Sequence, residues 1–243
     1  MTTVKTGEGR FGGRTVVITG GAGGIGAAVA AGFAAEGARV VTLDLAGADV
    51  DVDVSDADAV VAAVSSAFGE RGRNVLVTLA GGSLGTPRGL TEASVADVDA
   101  VIDVNVKGTL HACRAAVPFL AEGSAIVTCG SIGARQPSPV TGVAYAAAKA
   151  AVGGLTRKLA AELGPSGVRV NAVAPGLVLT DRLRGMFDAM PLVERQSVLD
   201  GIALRRLPGL AEVVDPVLFL ASDGASYITG VTLDVNGGRF MPL

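Results

Sequence analysis

The chain has 243 residues, 49% of them hydrophobic and 18% charged, with a formal net charge of -3. So apolar a composition with so small a charge excludes disorder, and without a dense Lys/Arg block nucleic acid is excluded as the main partner. Two cysteines and one histidine are too few for a disulfide framework or a Cys/His zinc site, so no metal is expected.

The first element raises a membrane question. The run from Thr15 to Ala35 carries no charge and is long enough to span a bilayer. Six glycines interrupt it, and in a helix each costs about 1 kcal/mol relative to Ala. It reads instead as a strand over Thr15–Thr19, a glycine turn, and a helix over Ile25–Glu36. Lys5, Glu8 and Arg10 precede the run with no cleavage region after it, so neither a secretory signal nor a membrane contact is expected, and the expected location is cytoplasmic.

Six further strands follow, over Arg39–Leu43, Val50–Val54, Val75–Leu79, Ala125–Cys129, Val168–Val173 and Thr232–Val235. Helical patterns separate them over Asp56–Gly69, Ser94–Leu120, Ala144–Leu163 and Ala211–Ala221, and Ser55 with Asp58 reads as a capping box for the first of these. Alternating β and α elements with β-branched strands predict an α/β, doubly wound parallel sheet (a Rossmann fold) of about seven strands with helices on both faces. In such a sheet ligands bind at the carboxyl ends of the strands. No repeat, linker or composition shift divides the chain, so residues 1–243 are expected to form one domain. Leu177–Gly209 reads as a helical flap in which Met186, Phe187 and Met190 lie among arginines. His111, in an apolar helical stretch, reads as structural.

The chemistry-bearing residues lie where strands end. Thr19-Gly20-Gly21-Ala22-Gly23-Gly24-Ile25-Gly26 joins the first strand to the first helix. Glycine serves where backbone turns sharply and approaches a pyrophosphate at a helix N-terminus. Asp44 ends the second strand, where a carboxylate accepts hydrogen bonds from ribose hydroxyls and repels a 2′-phosphate. Tyr145-Ala-Ala-Ala-Lys149 places a phenol and an ammonium one helical turn apart. With two tyrosines and four lysines in the chain, that spacing is a poor coincidence. Oxidising an alcohol requires removing its hydroxyl proton as hydride leaves carbon. A phenol ionises near pH 10, and a neighbouring ammonium favours the phenolate.

The pattern Thr19-Gly20-x-x-x-Gly24-Ile25-Gly26, with Tyr145-x-x-x-Lys149 and Asn171-Ala-Val-Ala-Pro175-Gly176, resembles the short-chain dehydrogenase/reductase family over roughly Gly13 to Gly238. The resemblance implies Tyr145 as acid/base, Lys149 tuning it and holding the nicotinamide ribose, Ser131 bonding the substrate oxygen, and Asn105 holding a relay water. Ser131 stands fourteen residues before the tyrosine rather than the family's usual thirteen; Ser138, within the same loop, is its competitor. Cofactor contacts are implied for Gly20, Gly24, Ile25 and Gly26 at the pyrophosphate, and for Asp44, Asp53 and Val54 at adenosine. Ala80 and Gly81 beside the cofactor, and Pro175, Gly176, Val178 and Thr180 at the nicotinamide, complete the set. Asp44, and Gly23 where NADP-preferring relatives often carry a basic residue, imply NAD.

The expected function is interconversion of a secondary alcohol and a ketone by hydride transfer, in a homo-oligomer, commonly a tetramer in the family. Alternatives are a 3-oxoacyl-thioester reductase, with Arg182, Arg184, Arg205 and Arg206 receiving a carrier phosphate, and a catalytically silent NAD-sensing protein. A sugar epimerase fits less well, because such relatives usually need a longer C-terminal part. One departure stands out: Thr78-Leu79-Ala80-Gly81 replaces Asn-Asn-Ala-Gly, removing side-chain amides expected to brace that loop.

Overall fold

The computed structural model describes residues 9–137 and 140–242, with the side chains of residues 181 and 182 outside the description. Seven strands form one sheet: β1 Thr15–Thr19, β2 Arg39–Asp44, β3 Val50–Asp51, β4 Val75–Thr78, β5 Ala125–Cys129, β6 Arg169–Pro175 and β7 Thr232–Val235. Their order is β3-β2-β1-β4-β5-β6-β7, and every pair is parallel. The order reverses between β1 and β4. There the strands' carboxyl ends open a crevice, the position at which doubly wound sheets bind ligands.

Among the described residues there are eight α-helices: α1 Gly24–Ala35, α2 Ala57–Phe68, α3 Val95–Ile102, α4 Gly108–Ala116, α5 Val143–Leu163, α6 Asp181–Asp188, α7 Leu192–Asp200 and α8 Ala211–Ala221. Side chains alternate across each strand, so two cores form. Val17, Leu76 and Ile126 face α2, α4 and α5 through Val64, Ala116 and Leu163. Val16, Ile18, Val77 and Val127 face α1 and α8 through Val29, Phe33, Val217 and Leu218. Burial on both faces explains why the strands read as near-continuous apolar runs. No helix among the described residues is long and apolar enough to cross a membrane.

Several boundaries differ from the sequence expectation. The third strand is only Val50–Asp51, because Val52 already leaves the sheet into a loop. β6 runs on to Pro175, its partner β7 continuing the ladder to Val235. Ser55 does not cap α2: the Asp56 carboxylate accepts from the Asp58 and Ala59 N–H groups, while the Ser55 hydroxyl donates to Asp53. The long helix read over Ser94–Leu120 holds a π-helical turn at Asp103–Lys107 between α3 and α4, and a 3-10 turn at Val117–Phe119. A capping box does open α3, where Ser94 and Asp97 satisfy each other's backbone N–H groups. The stretch read as a flap contains α6 and α7.

Candidate active site

A cleft of about 680 Å³ opens over the carboxyl ends of β1, β2, β4, β5 and β6. Its walls contain Gly20, Gly24, Ile25 and Gly26, then Asp44, Asp53 and Val54, then Ala80 and Gly81. Ser131, Tyr145 and Lys149 follow, with Pro175, Gly176, Val178 and Thr180 closing the circuit. Of the residues singled out in the sequence, Asn105 lies behind the wall, fully buried. Ser138 lies outside the described residues.

The glycine turn is tight for a packing reason. A Cβ on Gly26 would stand 1.9 Å from the Gly20 carbonyl oxygen, so the turn and the first coil of α1 can meet only without a side chain there. Gly20 and Gly21 N–H both donate to the Leu43 carbonyl, at 2.7 and 3.2 Å, which ties the turn to β2. Asp44 completes the tie: its carboxylate accepts from the Ala22 N–H at 3.0 Å and the Leu45 N–H at 2.8 Å. Thr180 overhangs the turn, its methyl 2.9 Å from where a Gly24 Cβ would be. The exposed Asp53 caps its own loop, accepting from the Ser55 N–H and hydroxyl at 2.8 Å. Val54 packs beneath it against Gly108, and its carbonyl meets His111 Nδ1 at 3.1 Å, which gives His111 a bracing role away from the cleft walls.

The other half of the cleft is built by α5 against β5. The Thr128 and Thr156 hydroxyls, both fully buried, meet at 2.7 Å and fix how far α5 slides along the strand. That register brings the Lys149 ammonium, 5% exposed, to the Cys129 carbonyl oxygen at 2.9 Å. Lys149 Nζ also lies 5.8 Å from the centre of the Tyr145 ring. The Tyr145 hydroxyl has no hydrogen-bond partner among the described residues. Ser131 follows β5 and caps the 3-10 turn Ile132–Ala134, its oxygen accepting from the Gly133 N–H at 3.1 Å. The Ser131 hydroxyl donates to no acceptor among the described residues.

Asn105 explains how the loop after β4 holds its shape without the two amides. Its Oδ1 accepts from the Gly82 N–H at 3.0 Å, and its Nδ2 donates to the carbonyls of Gly82 at 2.9 Å and Val101 at 2.8 Å. The side chain is spent on bracing the loop from below, through the π-helical turn. Thr78, in place of an asparagine, is buried with its hydroxyl unpartnered among the described residues.

Among the wall residues that the sequence did not single out are Cys129 and Arg239. Cys129 belongs to a strand and reads as core. Arg239 lies past the last strand, where only the Asn236-Gly-Gly-Arg239 turn signals it.

The fit to a dinucleotide rests on these walls: a turn of backbone N–H groups at a helix N-terminus, an acid at the end of β2, and a volume within the usual range for cofactor sites. Comparison with known proteins agrees. A family model described as enoyl-(acyl carrier protein) reductase matches residues 20–239. The chain is 40% identical over 193 residues to cyclohexanol dehydrogenase of Rhodococcus sp. (strain TK6), covering 76% of this chain and 70% of that one. It is 34% identical to 2-dehydro-3-deoxy-L-rhamnonate dehydrogenase (NAD(+)) of Sphingomonas sp. (strain SKA58), covering 95% of this chain and 97% of that one. The solved structure of a short-chain type dehydrogenase/reductase from Mycobacterium ulcerans superposes with a TM-score of 0.86 at 31% identity, covering 94% of this chain and 90% of the other. The chain belongs to the short-chain dehydrogenase/reductase family, and it is an oxidoreductase fold built for a nicotinamide cofactor.

Proposed function

We propose that this protein interconverts a secondary alcohol and its ketone, with NAD preferred over NADP. The observation that carries the reading is that Ser131, Tyr145 and Lys149 line the same cleft as the glycine turn and Asp44. When bound, the dinucleotide supplies or takes up the hydride. In the oxidative direction the carbinol C–H electron pair leaves with the hydride, the C=O bond forms, and the hydroxyl proton passes to the Tyr145 oxygen. Ser131, whose own oxygen is occupied by the Gly133 N–H, donates its hydroxyl proton to the substrate oxygen. Lys149 lies beside the phenol and stabilises negative charge developing there, in a buried setting where such charge counts most.

The preference for NAD rests on charge. The cationic side chains described in the cleft wall are Lys149 and Arg239, and the adenosine end presents Asp44 and Asp53 instead. A 2′-phosphate would face carboxylates with no guanidinium to receive it. The Sphingomonas relative is named as an NAD(+) enzyme.

The acyl-thioester reading takes support from the family model's description. Against it, two of the arginines that would receive a carrier phosphate are engaged: Arg206 holds both Glu212 oxygens at 2.6 Å, and Arg205 bonds Asp200. Arg184 is exposed, and the Arg182 side chain lies outside the description.

The test is turnover of a panel of secondary alcohols, ketones and 3-oxoacyl thioesters with either cofactor, on the parent and Tyr145→Phe. The expected result is a fall in kcat of about 10²-fold or more with cofactor affinity kept. Activity within about threefold of the parent removes Tyr145 from the role. Comparable kcat/KM with NADP removes the cofactor assignment.

A further inference from the structure

We propose that Arg239 determines substrate specificity and that the substrate carries a carboxylate on the side away from its carbinol carbon. The proposal rests on the alcohol–ketone reading above and adds the class of alcohol.

The argument begins with a charge count at the substrate end. A side cavity of about 200 Å³ opens beside the cleft, and Gly176, Leu177 and Arg239 line both. The other charged groups in the side cavity are Arg206, Glu212 and Asp234. Arg206 and Glu212 neutralise each other in a bidentate pair. Asp234 is paired through Oδ2 with Arg135 at 3.0 Å, from outside the cavity, while its buried Oδ1 has no hydrogen bond among the described residues. Arg239 is left over: half-buried, at the junction of the two spaces, with no ion pair among the described residues. Keeping a cation partly desolvated without a counter-ion is costly, and a ligand anion removes that cost.

The backbone fixes the root of this side chain. Arg239 N–H donates to the Asn236 carbonyl at 3.2 Å, closing a turn whose central residues Gly237 and Gly238 have φ of 63° and 79°. A turn with both central residues left-handed is one that glycine alone enters freely. The buried Asn236 side chain clamps it, accepting from the N–H groups of Gly238 at 3.1 Å and Phe240 at 3.3 Å. An arginine rooted there suits a planar carboxylate, which a guanidinium meets with two parallel hydrogen bonds. The cleft lining also holds Leu177, Leu183 and Met186, apolar side chains that suit the body of such a substrate.

The experiment is a ladder of hydroxy acids, 3-hydroxybutanoate, 4-hydroxypentanoate and 5-hydroxyhexanoate, each beside its methyl ester, with cyclohexanol as a neutral member. In the parent, at least one acid is expected to exceed its ester in kcat/KM by about tenfold or more. Arg239→Gln is expected to erase that ratio chiefly through KM, and Arg239→Lys to restore part of it. A readout without turnover accompanies these: calorimetric titration with pentanoate and methyl pentanoate, where the acid's advantage is expected in the parent and lost in Arg239→Gln. Arg239 is half-buried and makes no ion pair among the described residues, so both variants are expected to melt within about 4 °C of the parent. Neutral alcohols turned over with no preference for any acid, or an acid preference that survives Arg239→Gln, overturns the inference and leaves the alcohol–ketone reading standing. No turnover of any member overturns both.

Discussion

The Lys149 ammonium, carried by α5, donates to the main-chain carbonyl of Cys129 at the end of β5, 2.9 Å away. This bond crosses from helix to sheet at the site itself. It uses one of three N–H donors, leaving two for the cleft, and it anchors a cation that is otherwise almost wholly buried.

Replacing Lys149 therefore removes a charge and leaves a carbonyl unpaired. Lys149→Met is expected to lower kcat/KM by about 10²-fold or more, with a rise in KM for the cofactor as well as a fall in kcat. Lys149→Arg keeps the charge but not the compact geometry, and is expected to recover part of kcat. Steady-state kinetics with varied cofactor separates the two effects. A variant that loses only melting temperature and keeps both constants would assign Lys149 to the fold alone.

Asp44 is expected to act on cofactor choice. Its carboxylate already accepts from Ala22 and Leu45 N–H groups, so it stands fixed at the turn rather than swinging in solvent. Asp44→Ala removes the negative charge and the ribose acceptor together. The ratio of kcat/KM for NADP over NAD is expected to rise by about tenfold or more, mostly through poorer NAD use. An unchanged ratio would detach the residue from cofactor discrimination.

Much of the architecture was legible because its signals are local. The seven strands carried β-branched runs, and the glycine turn and the Tyr145–Lys149 spacing each state a geometry in a few residues. What was not legible depends on contacts between distant segments. The loop after β4 looked weakened because Thr78 and Leu79 replace amides, yet its support comes from Asn105, more than twenty residues on, through a π-helical turn that periodicity does not announce. The Ser55–Asp58 box failed for a related reason: Asp56, one residue later, competes for the same N–H groups and wins. Arg239 was signalled only by its glycine turn, since its meaning lies in which acids are already paired elsewhere.

The two cysteines are expected to differ sharply in reactivity. Burial pushes the Cys113 thiol up to about 12, so the thiolate that reacts is scarce and out of reach. Cys129 is partly exposed and lines the cleft. Iodoacetamide near neutral pH should label Cys129 alone in the native protein, and both once denatured. Saturating NAD should slow the Cys129 reaction. Labelling of Cys113 at a rate matching Cys129 would mean that the α4 region opens far more readily than its packing implies.

The last prediction concerns acid stability and the amino-terminal end of the sheet. Asp223 accepts from Arg14 at 2.8 Å and Arg73 at 2.6 Å, and Arg14 is 5% exposed. Burial pushes the Asp223 carboxyl up, but the hydrogen bond and charge of Arg14, joined by Arg73, outweigh it and leave the group below the usual carboxylate value of 3.8. A depressed carboxylate contributes stability that is fully present above the unfolded-state value and is lost as pH falls through the folded one. Asp223→Asn should thus lower the melting temperature at pH 7, where the buried Arg14 loses its counter-charge. The deficit should shrink as the pH drops below about 4, since the parent then loses the same charge by protonation. Because the Asp223 side chain is 65% exposed, the effect should also weaken in high salt. Melting curves of parent and variant at pH 7 and pH 3 decide it, and a deficit that holds or widens in acid would show that Asp223 acts through packing rather than charge.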